Sequence, residues 1–243
     1  MTFFLPLILA HIIADFFLQT DKINEGKKTV GKRRWLYLLL HCAIHAVTAY
    51  FLLGQWSNWK VPLMIFVSHY AIDTIKIAYE KKNIARSGNT TQTFLLDQMA
   101  HLAVIGILAS YYDGRALYDV FRQQFFCYNN ILKYLIGYAL ILKPTAIFMN
   151  LLLSKWNLND FPANGLPHAG KWIGFLERTL VVTFILTDNV EGIGFLLAAK
   201  SVFRFGDLNK AKDIKTTEYV LLGTLVSFTI AILMGFVIKS FLF

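Results

Sequence analysis

The sequence predicts an all-α polytopic membrane protein of about eight transmembrane helices, the first four forming a bundle built as a tandem repeat of two helix pairs. Three observations predict it. Of 243 residues, 56% are hydrophobic and only 16% charged, with a mean hydropathy of +0.50, whereas soluble domains carry about a quarter charged residues. Apolar stretches of near-bilayer length recur along the whole chain. Lysine and arginine gather in alternate loops, as they do on the cytoplasmic side of membrane proteins.

The first stretch, Phe3–Gln19, has the length of a signal peptide. It lacks a basic leading region and carries His11 and Asp15 inside its apolar run, so it reads as a span. Trp35–Leu53, Val61–Tyr79 and Phe94–Tyr112 complete the first bundle, taken as a domain over 1–112. The segment 113–130 mixes Phe and Tyr with Arg122, Gln123 and Gln124 and reads as an interfacial helix or loop. A second four-helix half, 131–243, holds Ile131–Ser154, Trp172–Leu186, Val190–Phe203 and Glu218–Phe241. Lys143-Pro144 kinks the fifth span. The first, sixth and seventh spans are short, and the seventh is open between a full crossing and a re-entrant segment.

Loop 20–34 holds Lys22, Lys27, Lys28, Lys32, Arg33 and Arg34. Loop 80–93 holds Lys81, Lys82 and Arg86, and segment 204–216 holds Arg204, Lys210, Lys212 and Lys215. Between them lie loops with Lys60 alone, or with Asp188 and Glu191 and no base. The alternation predicts both termini outside and an even number of spans. It also accounts for the net charge of +9 without nucleic acid, which is not expected as a partner. Two cysteines, Cys42 and Cys127, support neither a disulfide framework nor a CxxC metal motif.

Four pairs carry the chemistry: His11/Asp15, His41/His45, His69/Asp73 and Asp97/His101. Each has four-residue spacing, so its side chains share one helix face, one turn apart. Each lies on a different span. An ionisable group at membrane depth costs roughly 2.5–3.5 kcal/mol on insertion scales, so packing alone is a poor reason for eight of them. Counted from the cytoplasmic helix ends, Asp15, His41, Asp73 and Asp97 fall at one level, with His11, His45, His69 and His101 one turn deeper. The unit HxxxD, basic loop, [H/D]xxxH occurs twice, which predicts convergence on one centre. Facing helices with inward ligands build metal sites in bundles. Imidazole and carboxylate together suit a divalent transition metal, zinc first and manganese or iron next, as one or two ions. A lone intramembrane histidine is more often a hydrogen-bonded helix contact than a ligand, and a metal-free network or proton relay is the rival reading of the set. Gln19 and Gln98 read as supporting groups.

In the second half, Glu177, Arg178, Lys200 and Arg204 fall near the expected cytoplasmic helix ends. Snorkelling and ion pairing explain such residues equally well. The functional reading is a cationic pocket for an anionic lipid headgroup or phosphate.

The motifs HIIADFFLQ, HxxxH on the second span, HxxxD on the third and LLDQMAH resemble the bacterial membrane family known as DUF3307, a domain of unknown function. GFLER, AAKSVFRF and EYVLLGTLVS extend the likeness over nearly the whole chain. More loosely, HxxxD-bearing spans look like bacterial inner-membrane proteins labelled metal-dependent hydrolases. The resemblance implies a multi-pass protein of the bacterial inner membrane with the lipid bilayer as its surroundings.

The expected function is a membrane-embedded metal-dependent hydrolase acting on a lipid-linked or phosphate- or ester-bearing substrate from the cytoplasmic leaflet. Asp97 is the candidate catalytic base, and Glu177, Arg178, Lys200 and Arg204 are the candidate substrate-binding residues. The alternative is a divalent metal-ion transporter or sensor, which duplicated helical units favour.

Overall fold

The computed structural model describes residues 3–82, 90–120, 130–156, 166, 168–205 and 214–242. Side chains at 82, 90, 203–205, 214–216 and 241–242 lie outside that description. All regular structure among the described residues is helical. The chain divides into two compact units, Met1–Ile136 and Gly137–Phe243.

The first unit opens with α1, Phe4–Ile12, which runs without a break into a π-helical turn, Ile13–Leu18. The chain then bends by 86° into α2, Asp21–Lys28. This short helix stands where the sequence reads as a basic loop, and its local signals explain it. Thr20 is extended and its hydroxyl accepts from the Ile23 N–H at 3.4 Å. Asp21 opens the helix, and Lys27 and Lys28 close it, each matched to the helix dipole. Gly26 lets α2 lie on the next helix, because a Cβ there would sit 2.2 Å from the Tyr37 ring.

α3 (Lys32–Leu53), α4 (Lys60–Lys82) and α5 (Thr90–Asp113) complete the bundle. Gly54, in the left-handed region, closes α3. Phe4, Leu7, Ala49, Leu53, Val61, Ile65, Ile105 and Ala109 form an apolar core at the bundle end away from α2. Residues 117–120 are helical, with Val120 in that core. The rest of the expected interfacial segment, 121–129, lies outside the described residues.

The unit boundary falls within α6 (Asn130–Ile141). After Leu142 the path resumes as α7 (Lys143–Leu153), with Pro144 in its first turn, where a missing N–H costs nothing. The second unit continues with α8 (Ala169–Leu186), α9 (Glu191–Phe205) and α10 (Ile214–Leu242).

Among the described residues five helices are long and apolar enough to cross a membrane, six if the bent α1–α2 pair counts as one. The expected sixth and seventh spans are helices that do not pass by themselves. α8 carries Lys171, Glu177 and Arg178 in its 18 residues, and α9 has only 15. Burial is consistent with a membrane protein. α3 hides His41, Cys42 and His45 while Leu36 is 65% and Phe51 64% exposed. A bundle in water would show the opposite pattern.

Candidate metal centre

All eight sequence-predicted residues meet in the first unit. Three groups of ligand atoms form, each within 4.8 Å: Asp15 with His41, His45 and His69; His11 with His69 and His101; Asp73 with Asp97 and His101. His69 and His101 each serve two groups, so the three are one continuous centre. Apart from Asp15, which is partly buried, all of these side chains are buried.

Helical spacing on α3, α4 and α5 puts each pair on the inner face. On the first helix the π-helical turn carries Asp15, with the Gln19 N–H reaching back to the Ala14 carbonyl at 3.0 Å. Such turns are rare and recur at functional sites.

The carboxylates lie toward α2 and the imidazoles stack behind them. His41 Nε2 is 3.3 Å from Asp15 Oδ1, 3.6 Å from Asp73 Oδ2 and 3.1 Å from His69 Nε2. His45 Nε2 lies 3.5 Å from Asp15 Oδ1, and His101 Nε2 is 3.7 Å from Asp73 and 3.5 Å from Asp97. The rings of His45, His69 and His101 stack in series at 3.6 and 4.0 Å. Behind them lies a cavity of about 20 Å³ lined by His11, His45, His69, His101 and Ser68 with apolar neighbours. That volume exceeds the roughly 10–15 Å³ that one water needs.

Gln98 fixes one end of the network. Its Nε2 donates to Asp15 Oδ2 at 2.9 Å, so its Oε1 faces His11 Nε2 at 3.2 Å as an acceptor. His11 Nε2 must then carry the proton, and only its Nδ1 is left to ligate.

Two lysines belong to the site and were not among its expected members. Lys27, from α2, donates to Asp73 Oδ2 at 3.0 Å and to Gln19 Oε1 at 3.2 Å. Lys76, from α4, donates to Asp97 Oδ2 at 2.7 Å. Lys76 is visible in the sequence as a charge inside an apolar run, three residues after Asp73. Lys27 was counted only as a loop charge. Even with both lysines, among the described residues four buried side-chain atoms here have no hydrogen-bond partner: His41 Nδ1, His45 Nε2, Asp97 Oδ1 and His101 Nε2. Buried polar atoms in folded proteins are normally satisfied.

The expected substrate-binding residues are placed differently. Glu177 is taken by Lys200, 2.7 Å away. Arg178 is buried and donates through Nε to the Ile141 carbonyl at 2.5 Å, through Nη2 to Leu142 O at 3.4 Å and through Nη1 to Ser227 Oγ at 3.2 Å. The guanidinium thus caps the Ile141 carbonyl where α6 breaks off before Pro144, and shares the Leu142 carbonyl with the Ala146 N–H at 3.1 Å. Arg204 ends α9, and its side chain lies outside the described residues. These contacts bind helix to helix and do not line an open pocket.

No curated protein and no solved structure matches the chain. A family model described as "Protein of unknown function (DUF3307)" matches residues 3–126. That stretch contains every His, Asp and Lys of the centre and ends before the second unit, so the likeness expected through GFLER and AAKSVFRF is not part of the match. On the strength of a match spanning half its length, the chain belongs to the DUF3307 family of proteins of unknown function.

Proposed function

We propose that the first unit is a membrane-embedded divalent metal centre and that the protein is a metal-dependent hydrolase of the bacterial inner membrane. The observation that carries this reading is the convergence of eight donors, four of whose buried atoms make no hydrogen bond although imidazole and carboxylate stand 3.5–3.7 Å apart. A network complete without metal would satisfy His41 Nδ1, His45 Nε2, Asp97 Oδ1 and His101 Nε2 within itself. The donor chemistry, imidazole with carboxylate, suits zinc, then manganese or iron.

Charge supports one ion over two. Asp15, Asp73 and Asp97 face Lys27 and Lys76, leaving one formal negative charge with neutral imidazoles. One divalent ion takes the site to a single positive charge. A second would add two more in a low-dielectric interior, where uncompensated charge is costly.

Such an ion lowers the pKa of a bound water and polarises a carbonyl or phosphoryl oxygen. Within this chain, Asp97 Oδ2 is held by Lys76 while Oδ1 faces His101 Nε2 at 3.5 Å without a hydrogen bond, which suits Asp97 to accept a proton. Gln98 and Asp15 hold His11 in one tautomer. The full reading has eight spans, a duplicated helix-pair unit in the first bundle and an outside N-terminus.

A metal-ion transporter or sensor is the second reading. It is favoured by the cavity of about 20 Å³ behind the histidines, which is water- or ion-sized and too small for an organic substrate.

Elemental analysis of purified wild type beside His41→Ala and Asp73→Ala tests the centre. Near-stoichiometric zinc, manganese or iron in wild type, falling in both variants, is the expected result. Equal content in all three would sink both readings. Proteoliposome flux measured beside turnover of a phosphate and ester lipid panel separates them, and flux without turnover ends the hydrolase reading.

A further inference from the structure

A groove of about 430 Å³ opens between α3 and α4 at the end of the bundle where α2 lies, apart from the metal centre. Arg34, Trp35 and Lys81 line it at the helix ends, and Thr74, Ile77 and Ala78 form its floor over the fully buried Leu38. The size falls within the roughly 300–1,000 Å³ of ligand sites. We infer that this groove binds an anionic phospholipid, its phosphate held by Arg34 and Lys81 and one acyl chain lying along the floor.

Three features of the groove support this occupant. Polarity is graded along it, cationic at the helix ends and apolar at Ile77 and Ala78 one turn deeper, with the Thr74 hydroxyl beyond them spent on the Tyr70 carbonyl at 2.7 Å, as in a lipid running from headgroup to chain. Trp35 stands at the boundary, tilted against Tyr70 with ring centroids 6.2 Å apart, and such aromatics mark headgroup level. Arg34 commits one N–H, from Nε, to the Thr29 carbonyl at 2.9 Å, which anchors the side chain and leaves its terminal nitrogens without a hydrogen bond among the described residues. Lys81 is exposed beside it. A planar donor beside a point charge suits a phosphate diester.

The second unit supplies a contrast. A crevice of about 490 Å³ there is lined by Phe184, Phe195 and Leu196 with Glu191 and no lysine or arginine. It offers an acyl chain a similar apolar wall and gives an anionic headgroup nothing. Lipid charge selection therefore belongs to the α3–α4 groove, and it holds whether or not the centre carries metal. Leu38 lies one turn from His41 on the same helix face, so a chain on the floor runs past the centre without entering it.

The test uses the full chain in detergent, offered phosphatidylglycerol and phosphatidylcholine with identical acyl chains, before and after chelator treatment. Retained lipid is counted by mass spectrometry after gel filtration. Wild type should retain phosphatidylglycerol over phosphatidylcholine by about tenfold, because the choline ammonium offsets the phosphate charge and is repelled by the two cations. The preference should survive chelation, fall to near unity in Arg34→Gln/Lys81→Gln, and resist competition by soluble glycerol phosphate. Ala78→Trp, which fills the floor with the charges intact, should reduce retention of both lipids. If Ala78→Trp does not fold, the double variant decides, since both its sites lie at the helix ends. Equal retention of the two lipids by wild type, an undiminished preference in the double variant, or full displacement by glycerol phosphate would each overturn the assignment.

Discussion

Lys27 and Lys76 determine what the His/Asp centre does without an ion. Each neutralises one carboxylate, at 3.0 and 2.7 Å, so a bound metal must share Asp73 and Asp97 with ammonium groups already there. Lys27→Met separates the two accounts of the centre. In the metal-free protein it leaves Asp73 buried without its ammonium partner and with only His41 and His101 at 3.6 and 3.7 Å, at a cost of up to about 3–5 kcal/mol. If a metal binds, it supplies the missing positive charge, so zinc should stabilise the variant more than wild type and bind it about tenfold tighter by linkage. Thermal unfolding with and without zinc, with chelator competition for affinity, reads both. A lower melting temperature that zinc does not restore would favour the metal-free network. The eight His and Asp residues were legible in the sequence because four-residue spacing on a helix is itself a geometric statement. Lys76 was legible by the same rule and was passed over. Lys27 was not legible, because its reach depends on a contact between Gly26 and Tyr37 that no local pattern encodes.

At the level of elements, departures from regular helix carry the chemistry in both units. The π-helical turn and the 86° bend aim Asp15 into the centre and bring α2 back beneath it. In the second unit, the break at Leu142 leaves the Ile141 carbonyl to Arg178. The sequence marked the Lys143-Pro144 kink and the Arg178 charge separately. Their connection spans 37 residues and was invisible to any window-based reading. Arg178→Leu should therefore behave as a structural lesion. It leaves the Ile141 carbonyl and the Ser227 hydroxyl without the guanidinium and should lower unfolding stability by about 1–3 kcal/mol, with Arg178→Lys recovering part, since one ammonium replaces a fork of donors. Stability is read by denaturation in mixed micelles and phosphate binding by equilibrium titration. Full stability in Arg178→Leu with weakened phosphate binding would return Arg178 to the cationic-pocket reading.

Across the whole chain, the number of crossings is the part of the fold least legible in sequence, because α8 and α9 have helix periodicity without sufficient apolar length. At 1.5 Å per residue they reach about 27 and 22 Å against a hydrocarbon core of about 30 Å. Their pairing still fixes the outcome at the C-terminus. The Lys200–Glu177 ion pair and the close approach of Gly192 to Phe184 tie α9 back along α8, and the Asn189 N–H to Phe184 carbonyl bond closes the turn between them. As an antiparallel hairpin the two either both cross or both return, so residues 169 and 205 stay on one side in either case. Under the proposed orientation the basic segment 204–216 would put that side in the cytoplasm, and α10 would then run outward to a C-terminus on the outside. An alkaline phosphatase fusion after Phe243 should be active and a green fluorescent protein fusion at the same place dark. Single cysteines at Ser57 and Thr29, in a background lacking Cys42 and Cys127, should be labelled from outside and protected respectively by a membrane-impermeant maleimide. A fluorescent C-terminal fusion with Ser57 still labelled from outside would mean that α8 crosses without α9, and the hairpin would have to be abandoned.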